Sequence, residues 1–579
     1  MRYIRMLSNA IFGGVAFALY LTILVLQLNP RFAITWLPGL AATLVLSYGV
    51  HAVAAFYVLI VLRQLLASEL LSPGWISFRF LVWLSAVASV GGAILMWVNL
   101  QGFRGVLDAT AVRRMTGGAA ALTACAGLCV VLVIIHRWSG RPSTRTGAVV
   151  LGVTIMASLA VPLTLRGPGI GRANPARIPD AVASAEFRAS DSRVSLLLFE
   201  GASLDIIVLA AANGRLPHFA RLLDQGASLH LATIRPTQPS TVWTAAATGK
   251  LPYNNGIRSA ATYFPFATRE GLEVLPDYCY AHALVRFGFL REQMHSSRDL
   301  TAWPLWTILA TQGVSVGIVN WAVTHPAPRV AGYLVSDRID RWRQSIDLEG
   351  ADAIWPRDAS DTAAAAAAGV SAPDEQTPAV PNDETGDRVM PPCQADRTIE
   401  RIAAALDRQM PARFRAVRFE CLDAVGHYYL RYTMPAAFGD VSDEELQRFA
   451  GVLPAQYAVA DGVVGREIDA LRPGDLLLVA SGFGIEPIDP LKRLLERAFG
   501  NPELNGTHER APDGFLMAFG TNVKPGHYSR GSIIDMTPTV LYYLGLPVGR
   551  DMDGFARTDV FQPALTEARP ITFIPSYER

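Results

Sequence analysis

The chain has 579 residues, a formal net charge of +1, 51% hydrophobic and 17% charged residues, and a mean hydropathy of +0.26. That balance excludes a wholly water-soluble protein, so part of the chain belongs in lipid. Near-neutrality leaves no basic face for nucleic acid, which is excluded as a partner on electrostatic grounds.

Apolar runs long enough to cross a bilayer core, which takes about 20 helical residues, lie near Asn9 to Leu28, Leu40 to Leu62, Phe80 to Leu100, Gly117 to Ile135 and Gly147 to Leu165. Residues 1–165 are therefore expected to form a transmembrane region of about five helices. Arg2 and Arg5 precede the first run as they would in a signal peptide, but no convincing small-residue cleavage site follows. With further spans downstream, the run is expected to be retained. An odd number of spans puts the two ends of the chain on opposite membrane faces. The loop arginines are balanced, Arg2, Arg5, Arg63, Arg79, Arg137, Arg141 and Arg145 against Arg31, Arg104, Arg113, Arg114, Arg166, Arg172 and Arg177, so the positive-inside rule gives no orientation. The spans carry no obvious Asp, Glu, Lys or Arg, which favours an anchor over an ion or substrate path. His51 is the one titratable candidate and reads as a packed or loop residue. Cys125 and Cys129 fall in the fourth span as small apolar residues. Cys279, Cys393 and Cys421 can supply one disulfide if the large domain is extracytoplasmic, but no spacing selects a pair.

Residues 166–193, rich in Pro, Gly, Ala and Arg, read as a linker, and a large domain is expected over 194–579. Its apolar runs SLLLFE, VSVGIVNW, RAVRFE, DLLLVAS and GFLMAFG are short and continuous, as strands buried on both faces should be. Segments such as RLPHFARLLDQG, TAWPLWTILATQG and ADRTIERIAAALDRQM alternate with them and predict helices, giving an α/β domain with a mostly parallel central sheet. The stretch 348–392 contains ASDTAAAAAAGVSAPDEQTPAVPNDETGD, almost without aromatic or branched apolar residues. Such a composition predicts a disordered or loosely held loop that adds nothing to the core.

Five blocks then carry a resemblance: VSLLLFEGASLDIIVLAAANGRLPHFARLLDQGA from Val194, IRPTQPSTVWTAAATGKLPYNNGI, FECLDAVGHYY, LLLVASGFGIEP and GTHERAPDGFLMAFG. In order and spacing they resemble the type I phosphodiesterase and nucleotide pyrophosphatase branch of the alkaline phosphatase superfamily, over about Val194 to Gly554. The resemblance implies an alkaline-phosphatase-like α/β/α sandwich. It also implies a site in which two zinc ions at the carboxyl ends of strands hold a phosphoryl group and activate a Thr or Ser at a helix start.

Carried over residue by residue, that pattern is only half kept. Asp423 and His427 occupy an Asp-x-x-x-His block and His508 a Gly-x-His block, a carboxylate with two imidazoles that suits one zinc with an open position. The other site is broken. Glu200, before Gly201, stands where the family has Asp, and is retained as a possible metal ligand or base. Gly482 and Phe483 replace the Asp and His of a Ser-Asp-His-Gly block, supplying no donor and an apolar ring. Pro239 falls on the family nucleophile. Ser240 and Thr241 are adjacent substitutes, although a one-residue shift turns a helical side chain by about 100°, and both are expected instead to cap the helix. Asn255 replaces the His of a Pro-x-x-His-Gly-Ile block.

Two readings follow. In one, the chain is a membrane-anchored, non-catalytic or strongly altered member, a pseudoenzyme that binds a ligand or a membrane-protein partner through the old phosphoester site. In the other, it is an active metal-dependent phosphodiesterase or phosphotransferase acting on a lipid-linked or envelope phosphoester, with zinc-bound water as nucleophile and Glu200 as base. Both expect the lipid bilayer as environment, an extracytoplasmic large domain and at most one zinc, or none.

Overall fold

The structure is a computed structural model that describes residues 2–66, 78–139, 145–169, 174–176, 187, 189–266, 268–279, 281–338, 352–368, 384–499 and 501–578. It divides into two compact units, one of Met1–Asn174 with Arg258–Met294, the other of Pro175–Ile257 with His295–Arg579.

The first unit contains five helices long and apolar enough to cross a membrane among the described residues: α1 (Arg2–Leu28), α2 (Leu37–Leu66), α3 (Phe78–Phe103), α4 (Ala109–Ser139) and α5 (Arg145–Arg166). Without a hydrophobic drive between helices in lipid, close packing at small residues has to hold such a bundle. A Cβ placed on Gly14 would lie 2.6 Å from Val53, and one on Gly92 would lie 3.0 Å from Tyr20. Polar side chains add cross-links, such as Tyr20 Oη to Ser158 Oγ at 2.7 Å. Arg166, at the end of α5, is buried and donates to the carbonyls of Leu26, Asn29 and Phe32, tying the end of α5 to the last turn of α1 and the turn that follows it. His51, expected as a packed or loop residue, instead lies exposed within α2, where its Nδ1 meets the Ser47 carbonyl at 2.7 Å and its ring stacks on Phe287.

Residues 258–294, which the sequence reading counts within the large domain, pack with the helices as part of the first compact unit. It holds an antiparallel hairpin, Ala261–Pro265 with Leu290–Met294, and the short helix Ala281–Arg286. Two asparagine amides at helix ends fasten it. Asn29 accepts from the Glu273 and Val274 N–H groups and donates to the Val274 carbonyl, and Asn99 makes the same two-way pairing with Asp277. Hydropathy misses such a segment because it has no long apolar run; polar caps hold it.

In the second unit a mixed sheet is built from β1 (Val194–Phe199), β2 (Ala227–Ala232), β3 (Val316–Trp321), β4 (Gly332–Ser336), β5 (Ile354–Trp355), β6 (Phe414–Phe419), β7 (Leu476–Phe483), β8 (Asp513–Phe519) and β9 (Gly526–His527), in the spatial order β9-β2-β8-β7-β1-β6-β3-β4-β5. The run from β7 to β4 is parallel, and β8 is antiparallel to both neighbours. Every residue of β1, β3, β6 and β7 is buried, as a sheet covered by helices on both faces requires. This is the expected alkaline-phosphatase-like α/β architecture. The carboxyl ends of the parallel strands and the start of β8 share one edge, where open α/β sheets place their sites.

The expectation for 348–392 is corrected over its described part. Ile354 and Trp355 form β5, and the alanine run folds into a helix, Ala359–Ala368, whose Ala359, Ala363 and Ala367 are buried in the main core beside Ile354 and Val389. Alanine at i, i+4 and i+8 gives a smooth stripe that packs closely with little side-chain entropy to lose. Composition rules that count only large apolar residues overlook such a stripe; 348–351 and 369–383 lie outside the described residues. At the other end, the described part of the 166–193 linker is not loose: Ser190 donates to the Leu544 carbonyl and the Arg193 N–H to Asp475.

Candidate metal and phosphoester site

Four side chains lie just beyond the strands that the fold aligns. Glu200 ends β1. Asp423 and His427 lie in the helix Cys421–Thr433 that follows β6, one turn apart and so on one face. His508 precedes β8. The ligand atoms of Asp423, His427 and His508 all lie within 4.8 Å of one another, the one such cluster among the described residues. His427 Nε2 is 3.4 Å from Asp423 Oδ2, and the two imidazole rings are 5.1 Å apart.

Backbone carbonyls fix both histidines. His427 Nδ1 meets Gly506 O at 2.8 Å, and His508 Nδ1 meets Thr237 O at 2.9 Å. A carbonyl only accepts, so each Nδ1 carries the proton and each Nε2 is left as the ligand nitrogen, the usual outer support of a metal-binding histidine. Asp423 Oδ1 is buried with no hydrogen-bond partner. An orphaned carboxylate oxygen beside two preset imidazoles fits one zinc with an open position.

The charges follow the same geometry. Burial works against an ionised Asp423, but the neighbouring His427 and His508 outweigh it and hold the carboxyl below its ordinary range. Burial also disfavours a charged His427, yet Asp423 more than offsets this and holds that imidazole above its usual value. His508 is pushed down, first by burial.

Glu200 is engaged elsewhere. Its Oε2 accepts from Trp243 Nε1 at 3.1 Å and from Arg418 Nη1. Arg418, almost wholly buried, also lies 2.5 Å from Glu420 through Nη2 and donates Nε–H to Asn320 O at 2.7 Å. Burial pushes the Glu200 carboxyl up to about 7 against the pull of Arg418. Thus a guanidinium neutralises the carboxylate that the family resemblance assigns to the second metal. The flanking space is apolar. The buried Phe483 ring is 4.8 Å from the His508 ring, and a Cβ on Gly482 would lie 2.5 Å from Val242 Cγ1. These residues do not fit a second metal ion.

The nucleophile position is equally closed. Pro239 is the first residue of the helix Pro239–Thr248, and Gln238 is its N-cap, without a side-chain cap bond. Ser240 and Thr241 therefore stand inside the first turn and do not cap it as expected; Thr241 is fully buried, with no partner for its hydroxyl. A proline at N1 costs this helix nothing because its missing N–H has no intrahelical acceptor there. Asn255 has become structural: buried, it accepts from Ile257 N–H and donates to Lys250 O, closing its own turn.

Three supports were not read from the sequence. Arg418 is one; a charge inside an otherwise apolar strand was its available signal. The others meet at the start of the ligand helix, where Asp396 accepts from the N–H groups of Glu420 and Cys421, and where Cys421 is disulfide-bonded to Cys393.

A largely parallel α/β sheet with a carboxylate and two imidazoles at its strand ends is the architecture of the alkaline phosphatase superfamily. Within it the chain belongs to the type I phosphodiesterase / nucleotide pyrophosphatase family, whose profile matches residues 194–525. Among solved structures, it is similar to murine ectonucleotide pyrophosphatase/phosphodiesterase 5 at 12% identity and TM-score 0.37, covering 64% of this chain and 100% of that one. The human counterpart gives the same identity, coverage and TM-score. A quadruple mutant of the alkaline phosphatase PafA is similar at 13% identity and TM-score 0.39, covering 65% of this chain and 100% of that one. The comparison with curated proteins finds no match.

Proposed function

We propose that the protein is a membrane-anchored family member that holds one zinc on Asp423, His427 and His508 and uses that site to bind a phosphoester without turning it over. The observation that carries this reading is the division of the old two-metal site. One half keeps an orphaned Asp423 oxygen and two imidazoles whose Nδ1 atoms are held by backbone carbonyls, while the other half is closed by the Arg418–Glu200 pair and Phe483. When bound, zinc supplies a Lewis-acidic contact for a phosphoryl oxygen. His427 and His508, oriented by the carbonyls of Gly506 and Thr237, would hold it through Nε2, and Asp423 would balance its charge. With Pro239 at the nucleophile position, no hydroxyl of the family kind stands opposite.

The Cys393–Cys421 disulfide supports an extracytoplasmic large domain, since such bonds persist in oxidising compartments. A site of that chemistry on a chain that also carries candidate membrane helices suits a lipid-linked or envelope phosphoester. The hydrolytic reading needs a free base, and Glu200 Oε2 already accepts two hydrogen bonds.

Elemental analysis of the purified full chain tests the proposal: one zinc per chain is expected, lost in Asp423→Ala. Calorimetry with a non-hydrolysable phosphonate diester should show zinc-dependent binding, with negligible release of nitrophenol from a generic nitrophenyl diester. Two tightly held ions, or diesterase activity that survives Asp423→Ala, overturn the carry-over of the site. Activity lost with Asp423 restores the hydrolytic reading.

A further inference from the structure

The segment Arg258–Met294 is anchored to the helical unit, yet it exposes large apolar side chains. Phe266, Phe287 and Tyr278 are 75%, 56% and 58% exposed, and Met294 is open as well. Isolated exposed apolar residues need no explanation, but several large ones on one short segment do. Their place along α2 identifies what covers them.

Arg63 closes the second candidate span, and its guanidinium lies over the rings of Phe80 and Trp83 at 5.1 and 5.3 Å. A cation held there marks one face of the membrane. Counting back at about 1.5 Å per residue, the twelve residues to His51 cover about 18 Å of a hydrocarbon core about 30 Å thick. The Phe287 ring stacks on His51 at 5.7 Å between centroids, so for an untilted span it lies about 12 Å inside the opposite face, just below the roughly 5–10 Å reached by interfacial amphipathic segments. Leu46 and Val50, near His51 on α2, are large apolar side chains that are also exposed. Tyr48 packs against Cys279 of the same segment. Arg269, Arg286 and Arg291 of the same segment are exposed, the last with its guanidinium 5.0 Å from the Phe264 ring. Long cationic side chains reach headgroup phosphates while their stems stay in apolar surroundings.

We propose that Arg258–Met294 is a membrane-interface element, with Phe266 and Phe287 seated at the boundary between headgroups and acyl chains of the bilayer that holds α1–α5. Its occupant is phospholipid. The exposed aromatic face is continuous with the lipid-facing surface of α2, and the basic residues complement the headgroups.

The test uses the full chain in phosphatidylcholine–phosphatidylglycerol vesicles, with Cys125, Cys129 and Cys279 replaced by Ser and the Cys393–Cys421 bond left oxidised. Phe287→Cys and, separately, Phe266→Cys are labelled with an environment-sensitive fluorophore; Glu444→Cys, on the exposed surface of the other unit, is the aqueous control. At both phenylalanine sites the expected result is strong quenching by lipid carrying a nitroxide near the carbonyl end of its chain, with protection from aqueous iodide. Iodide quenching equal to that at the Glu444 site overturns the proposal. So does a label shielded from iodide but untouched by nitroxide lipid, which marks a protein contact. Both phenylalanines are exposed, so the replacements should leave folding intact; unchanged gel-filtration elution of each labelled protein checks this.

Discussion

Arg418 Nη1 donates to Glu200 Oε2 in a buried pair at the carboxyl ends of two adjacent parallel strands, with both side chains only 5% exposed. Removing one member of such a pair strands the other without solvent, which costs about 3–5 kcal/mol. Arg418→Met should therefore lower the thermal midpoint sharply, and Glu200→Gln with Arg418→Met should recover much of the loss. A single variant as stable as the parent would show that the pair is not closed. The same pair blocks repair of the second metal site. Pro239→Thr, Gly482→Asp and Phe483→His together should leave zinc at one per chain, because Arg418 stays on Glu200 and any side chain introduced at position 482 meets Val242. A zinc content of two in that triple variant would refute this.

With metal stripped, the Asp423–His427 pair gives a pH signature. His427 is raised above its ordinary 6.5, so its contribution is complete below 6.5 and is lost as pH rises through the raised value. Asp423 is lowered below 3.8, so its contribution is present above 3.8 and fades as pH falls through the lowered value. The apo protein should gain most from this pair between those two limits, and His427→Asn should flatten the alkaline side of its melting profile. Zinc-loaded protein should do the opposite, losing metal as pH falls and the imidazoles protonate. Parallel melting curves with and without chelator read both effects.

The Cys393–Cys421 bond closes a sequence separation of 28 residues. Loop-closure entropy for that length is worth about 3–4 kcal/mol. Cys393→Ala with Cys421→Ala should lower the midpoint and weaken zinc binding, since Cys421 opens the helix that carries Asp423 and His427. Maleimide labelling should reach these two thiols only after reduction. Labelling of the unreduced protein would place the domain in a reducing compartment and remove the support for an extracytoplasmic side.

Ala363, fully buried in the helix Ala359–Ala368, tests whether the alanine run packs. Ala363→Glu puts an unpaired carboxylate into the core and should cost several kcal/mol, whereas Ser360→Glu on the same helix should be near neutral. Equal midpoints for the two variants would return the segment to the status of a loose loop.

How much of this was legible in the sequence depends on how local the signal is. Five apolar runs and five block motifs are local, and they predicted five long apolar helices, the α/β sheet and the grouping of Asp423, His427 and His508 that the structure brings together. The losses at Pro239, Gly482 and Phe483 were equally plain, because each is an identity at a known place. What stood in their stead was not. Arg418 became a partner of Glu200 only when β6 was laid beside β1; Cys393 met Cys421 only when two helices were packed; the weak alanine stripe gained meaning only against Ile354 and Val389. Residues 258–294 joined the helical unit through two asparagines far away in the chain. The chain's own patterning determined its elements and its family, because periodicity and motif spacing act over a few residues. Tertiary structure decided which charges neutralise one another and which apolar side chains stay exposed, because Coulomb and solvation energies depend on distance in space.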